Sequence, residues 1–190
     1  FAVEVPGECR DRLNLIGFPG GAKVFAEPRE LLQRVGITVN GVYPHAAGFD
    51  CWRNIANASL NAVVDSGMYP KLMRRLRDRD QAIINVPFPV GLEATRSFYT
   101  LLIESLHGEG AAQELVAGYT ERLSREVDRF RSDFKGIKFA YAVRMKNTYS
   151  IANVAYDGLG FLSALLELGF EVELLIQGAP DADAQQAYAK

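Results

Sequence analysis

Pro87-Phe88-Pro89-Val90-Gly91-Leu92-Glu93-Ala94-Thr95 follows the apolar run Ala82 to Val86 and opens a stretch of helical apolar spacing that reaches about His107. The prolines end a buried strand, because each lacks the N–H that a sheet interior requires. Gly91 gives the backbone room to turn, and Thr95 and Ser97 fall near the first helical turn, where amide groups have no intrahelical partner and point outward. The stretch is a strand-to-helix corner, expected at the edge of a binding crevice.

Before the corner, short apolar strands alternate with amphipathic helices. Strands are expected at Leu13 to Gly17, Thr38 to Tyr43, Leu60 to Asp65 and Gln81 to Val86. Helices are expected at Pro28 to Val35, about Phe49 to Ala56, Pro70 to Arg79 and, from the corner, Glu93 to Leu106. Pro28 suits a first helical turn and Gly36 a C-terminal cap. The alternation predicts a parallel sheet with right-handed crossovers, its strands ordered second, first, third, fourth.

After the corner, Ala111 to Phe134 reads as one long polar helix with Leu115, Tyr119, Leu123, Val127 and Phe130 at three- and four-residue spacings. Its other face carries Glu121, Arg122, Arg125, Glu126, Asp128 and Arg129. Both signs are interspersed, which describes a solvated face rather than a nucleic-acid site. Ile137 to Val143 and Glu171 to Ile176 read as strands around a helix from Ser150 to Leu168 that Gly169 stops. The expected class is α/β: a Rossmann-like doubly wound parallel sheet over residues 1–110, a linking helix over 111–136, and a second, truncated βαβ lobe over 137–190. Unpaired strand edges in that lobe invite self-association.

At 190 residues, 48% apolar and 23% charged, the chain can bury a sizeable core. Its formal charge of -2 supplies no general attraction to nucleic acid or anionic membrane. Apolar runs such as Leu159 to Leu166 are too short to span a bilayer, and Phe1-Ala2-Val3-Glu4 has no signal-peptide character. A first residue other than Met, and an end in what reads as the opening of a helix, suggest a piece of a larger protein. Cys9 and Cys51 have no metal-like spacing, and two cysteines do not make a disulfide scaffold, so a reduced, cytoplasmic setting is the expectation.

Open parallel sheets bind ligands beyond the carboxyl ends of their strands. That rule selects the loops Phe18 to Val24, Pro44 to Phe49, Asp65 to Tyr69 and Pro87 to Thr95, and adds Arg144 to Ser150. Expected substrate-binding residues are Phe18, Gly20, Gly21, Lys23, His45, Ser66, Glu93, Thr95, Arg144 and Lys146. The loop Gly17 to Lys23 is glycine-rich but is neither G-x-G-x-x-G nor a P-loop, and the second strand ends in Val42-Tyr43-Pro44 without a ribose-binding acid. Its glycines instead let backbone approach backbone or a flat ligand, and Lys23 suits an anion. His45 could ligate a metal or shuttle a proton, but with no second ligand nearby in sequence it reads first as a surface polar residue. His107, at the end of the corner helix, is placed to cap carbonyls, and Cys51 beside Trp52 reads as packed rather than reactive. Arg144 and Lys146 suit substrate carboxylates. Asp65 has two open readings: a proton donor at the crevice edge, which makes it the catalytic candidate, or, like Ser66, a cap on the next helix.

Taken in order, these features resemble the nitrogenase component 1 superfamily, which includes the nitrogenase molybdenum-iron subunits and the dark-operative protochlorophyllide and chlorophyllide reductases. The resemblance rests on Asn14-Leu15-Ile16-Gly17 at the first strand, Leu31 to Val42 (LLQRVGITVNGV), Leu60 to Asp65 (LNAVVD), and the Pro-Gly-Glu-Ala-Thr corner followed by Phe98. It covers residues 12 to 107 and resumes from Ile137 to Ile176, as a middle domain and the start of a last domain. It implies an oxidoreductase catalytic subunit that works beside a homologous subunit and takes electrons from an ATP-hydrolysing iron-sulfur reductase. The iron-sulfur cluster would be held by cysteines of an earlier domain, and no cofactor or metal is expected on these residues. In the metal-cluster-binding nitrogenase subunit a cysteine ligand falls near the position of Asp65. An aspartate there argues against a nitrogenase-type cofactor and suits protonation of a tetrapyrrole-like substrate. The other class of reading is a non-catalytic cofactor-assembly scaffold or ligand-binding module of the same fold.

Overall fold

The computed structural model describes residues 11–18, 25–44, 52–64, 69–144 and 160–177. Its first four strands are β1 (Arg12–Phe18), β2 (Thr38–Pro44), β3 (Leu60–Val63) and β4 (Ala82–Asn85), joined by helices α1 (Ala26–Gln33) and α2 (Pro70–Arg77). They form one sheet in the order β2-β1-β3-β4, and every neighbouring pair is parallel. This is the order the alternation predicts. Helices α3 (Leu92–His107) and α4 (Gln113–Phe134) follow, and then β5 (Lys138–Arg144), α5 (Gly160–Glu167) and β6 (Glu171–Gln177), with β5 and β6 paired in parallel.

Burial follows position in the sheet. In central β1, the side chains from Leu13 to Ile16 are all buried, and β3 is buried throughout, as a parallel sheet covered on both faces requires. Edge strand β4 is exposed at both ends. On one face Ile16, Tyr43 and Val63 pack with Met73 and Leu76 of α2, and Ile55, Tyr69, Leu72 and Ile83 surround them. Each fully buried aliphatic side chain among them contributes roughly 1.5–3 kcal/mol by leaving water.

The helix stops share one device. Gly36 has φ +82°, and the amides of Gly36 and Ile37 return to the carbonyls of Gln33 and Leu32. Gly169, at φ +88°, closes α5 the same way, with Phe170 bonded back to Leu165. Both are Schellman closures, which turn the chain directly into the next strand. After α2 the left-handed position is filled by Asp80, at φ +53°. The helix expected from about Phe49 to Ala56 lies partly outside the described residues. Its described end tightens into a 3₁₀ turn, Ile55–Asn57, where Asn57 donates to Asn54 through both its backbone and its side chain.

The sheet also carries a polar row. Asn14 and Asn61 are fully buried and opposite one another in the β1–β3 register. Asn40 Nδ2 donates to Asn14 Oδ1 at 2.8 Å, Asn14 Nδ2 to Asn61 Oδ1 at 2.8 Å, and Asn61 Nδ2 to the Ala82 carbonyl at 3.0 Å. The row thus crosses all four strands. The second donors of Asn40 and Asn14 take the carbonyls of Asn54 and Ile55, at 2.9 and 2.7 Å, and so hold the segment before β3 against the sheet.

Contacts divide the chain into two compact units, residues 1–86 with 101–111, and residues 87–100 with 112–190. The first contains the four-stranded sheet. In the second, α4 exposes its charged face as expected, with i,i+3 and i,i+4 pairs at Asp128–Arg131 and Glu121–Arg125. Its apolar stripe is only half buried, and Phe130 is exposed while stacking on Phe134.

The amide row predicts an unusual ranking of substitutions. Asn14→Ala strands Asn61 Oδ1 and one Asn40 donor, a loss of about 2–4 kcal/mol in denaturant unfolding. Asn14→Asp keeps the shape but turns a double donor against two carbonyl oxygens, so it should destabilise at neutral pH at least as much as alanine does.

Candidate functional site

Because β1 to β4 are parallel, the chain leaves one edge of the sheet after Phe18, Pro44, Val64 and Val86. Pairing runs to that edge: Val64 N–H donates to the Ile16 carbonyl and Val86 N–H to the Val63 carbonyl, both at 3.0 Å. The residues that follow the first three exits include Gly20, Gly21, Lys23, His45, Asp65 and Ser66. All six lie outside the described residues, as do Lys146, Cys9 and Cys51.

The exits themselves are firm. Gly17, at φ +85°, sits where the β1–β2 register slips by one residue, a glycine bulge. The bulge delivers Phe18 into the core, fully buried and edge-on to Phe25 at 5.5 Å. Phe18 therefore anchors the start of the glycine-rich loop. At the end of β2, the Tyr43 ring folds back over Gly41, where a Cβ would lie 2.6 Å from it. Trp52, the only tryptophan of the chain, packs on the Tyr43 ring at 4.8 Å and remains partly exposed. The N-cap position of α2 is Tyr69, followed by Pro70 at the first turn. Asp65 and Ser66 stand before that cap position, so neither is the N-cap residue of α2.

In the second unit, the corner is built tightly. Val90 N–H donates to the Phe88 carbonyl at 2.7 Å, and Gly91 has φ +83°. A Cβ on Gly91 would come within 2.9 Å of Glu167 Oε2 and 3.3 Å of Ala164. The outward-facing amides expected here are not free. Leu92 N–H donates to Glu167 Oε2 at 2.5 Å and Glu93 N–H to Oε1 at 3.3 Å, so a carboxylate from α5 caps α3. The Glu93 side chain is paired on the helix surface with Arg96 at 2.6 Å. Thr95 is buried, and its amide bonds the Gly91 carbonyl at 3.2 Å. Arg144 ends β5 opposite Gln177. Back in the first unit, at the other end of α3, His107 lies 3.6 Å from the Asp11 carboxylate, an acidic partner in place of the carbonyls expected for it.

Two features escaped sequence reading: the asparagine row and the Glu167 cap. The first left no periodic signal. The second did leave one, because a glutamate in the last turn of a helix opposes the helix dipole. Among the described residues, no three His, Cys, Asp or Glu side chains converge to hold a metal. They supply no donor set for an iron-sulfur cluster, which takes four cysteines in its common forms.

Residues 2–190 match the model of the nitrogenase component 1 type oxidoreductases. The chain belongs to that family. Its fold is also that of two solved structures, nitrogenase Cp1 at pH 5 and nitrogenase Cp1 at pH 6.5. The first superposes with a TM-score of 0.65 at 15% identity over 92% of this chain, and the second with 0.62 at 14% over 94%. In each case the match spans 36% of the nitrogenase chain, so this sequence corresponds to about a third of those proteins' length.

In this nitrogenase component 1 type chain a side chain at residue 91 would crowd Glu167 Oε2 and Ala164. Gly91→Ala adds left-handed strain of about 1 kcal/mol to the crowding against Glu167 and Ala164, for a total loss of about 2–3 kcal/mol in thermal or denaturant unfolding. Gly36→Ala, at the same kind of φ but with nothing within 4 Å of the added methyl, should lose only the strain.

Proposed function

We propose that this chain forms the substrate-binding middle of a nitrogenase component 1-type catalytic subunit. The complete protein reduces an unsaturated small molecule with electrons delivered by an ATP-hydrolysing iron-sulfur reductase, and it works beside a homologous subunit. The observation that carries this reading is the common edge. Parallel β1, β2 and β3 end on one side of the sheet in a chain of an oxidoreductase family, and Gly20, Gly21 and Lys23, then His45, then Asp65 and Ser66 follow those ends in sequence. Ligands of open parallel sheets bind at that side.

The residues divide the work by chemistry. Asp65 directly follows in sequence Val64, whose N–H is bonded into the sheet, and a carboxyl group at that position suits a proton donor to a reduced substrate. The glycines of the first loop admit a flat ligand close to the backbone. Arg144, the last residue of β5, and Lys146 after it are cations of a kind that suits carboxylates. A tetrapyrrole fits this set better than dinitrogen, because it offers a flat face, acidic side chains and carbon positions that take up protons with electrons. The electrons enter from the partner proteins, and no step of this reading uses a metal held by the described residues. Among those residues no helix is long and apolar enough to cross a membrane, and the proposed setting is the cytoplasm.

The test is Asp65→Asn in the complete protein, assayed with its reductase. If Asp65 donates the proton, turnover falls by about 10²-fold or more while KM changes by less than about threefold. Unchanged turnover would remove Asp65 from the chemistry and leave the assembly-scaffold reading in front.

A further inference from the structure

We infer that Glu167 is the positioning residue of the corner: its carboxylate latches the start of α3 to the end of α5, so that loop 87–91 and α5 move as one body. Both oxygens are engaged, one by each of two successive amides, by a side chain 75 positions away in sequence. The joint is close-packed. A Cβ on Gly91 would lie 2.9 Å from Glu167 Oε2 and 3.3 Å from Ala164, so a side chain there would push the carboxylate aside and crowd α5.

Glu167 is itself held from behind. Its carbonyl accepts from Arg131 Nε of α4 at 2.9 Å, and Arg131 Nη1 is fixed by Asp128 at 2.9 Å. At the next turn a Cβ on Gly169 would meet Arg131 Cγ at 2.9 Å, so the backbone after α5 lies directly on that side chain. Phe134 and Phe170 stack beside it, with centroids 4.7 Å apart. Three helix ends are thereby joined through one glutamate and one arginine.

Electrostatics favours the closed latch. At the end of α5 the carboxylate sits at the negative pole of its own helix, which disfavours it, whereas at the start of the 16-residue α3 it meets a positive pole and two donors. Withdrawn from α3, it would keep the unfavourable pole and lose the favourable one. An anionic substrate group also finds the amides of Leu92 and Glu93 already taken, so the acids of a substrate bind elsewhere than at this helix start. The effect on catalysis rests on the proposed function, in which the corner borders the substrate.

Amide hydrogen exchange and steady-state kinetics of the complete protein test the inference. In Glu167→Ala the Leu92 and Glu93 amides should exchange about 10-fold faster or more, with amides of α4 and β6 changed less than about twofold. Glu167→Gln keeps one acceptor oxygen and should protect only one of the two amides. In the same alanine variant KM should rise with kcat held within about twofold. Unchanged exchange at both amides in Glu167→Ala would overturn the latch, and so would an equal loss of protection throughout the second unit, which would make Glu167 a general structural residue. Selective loss of protection with KM unchanged would uphold the latch and overturn only the reading of the corner as a border of the substrate site.

Discussion

The asparagine row is the constraint on which the first unit depends. A parallel sheet buried on both faces is built from apolar strands whose register is weakly marked by their side chains, because one valine or leucine replaces another at little cost. Asn40, Asn14 and Asn61 remove that freedom. A slip of one residue between β1 and β3 would turn Asn14 to the opposite face and leave it and Asn61 with buried, unpaired amides, each at about 1–3 kcal/mol. The register that satisfies the amides also stacks Ile16, Tyr43 and Val63 over α2.

Much of this fold was legible because its signals are local. Gly36 and Gly169 mark helix ends by the conformation they alone adopt easily, and the apolar strands between them locate the sheet. Asp80 fills the same kind of position without the signature, so the end of α2 could be read only approximately. The asparagine row was legible only as a list of residues. Asn14 and Asn61 each interrupt an apolar strand, but nothing in either segment says that they face one another 47 positions apart. Only the strand order brings them together.

The site was legible to a different degree. That ligands belong at the carboxyl edge follows from parallel strands alone, and the exits at Phe18, Pro44 and Val64 lie where the apolar runs end. The corner was recognised from its prolines and glycine, yet the state of its amides depended on Glu167, a residue of another element. Its position gave a hint, since an acid at a helix C-terminus is unfavourable unless something else receives its charge. Asp11, the partner of His107, was invisible for the same reason: it precedes β1 by one residue, and the end of α3 reaches it only through the fold.

The polar bracing is also placed asymmetrically along the strands. Asn14, Asn40, Asn61 and Ala82 all stand in the first half of their strands, and the later halves around Ile16, Tyr43 and Val63 are apolar. Amides that must be fully satisfied tolerate few substitutions, while apolar packing tolerates many of similar volume. Setting the intolerant contacts at the amino ends leaves the carboxyl edge joined to the sheet by adaptable contacts and by backbone bonds that any residue can make. The residues that follow Phe18, Pro44 and Val64 can therefore change without disturbing the register beneath them. That separation between intolerant and tolerant contacts is a consequence of where the three asparagines lie.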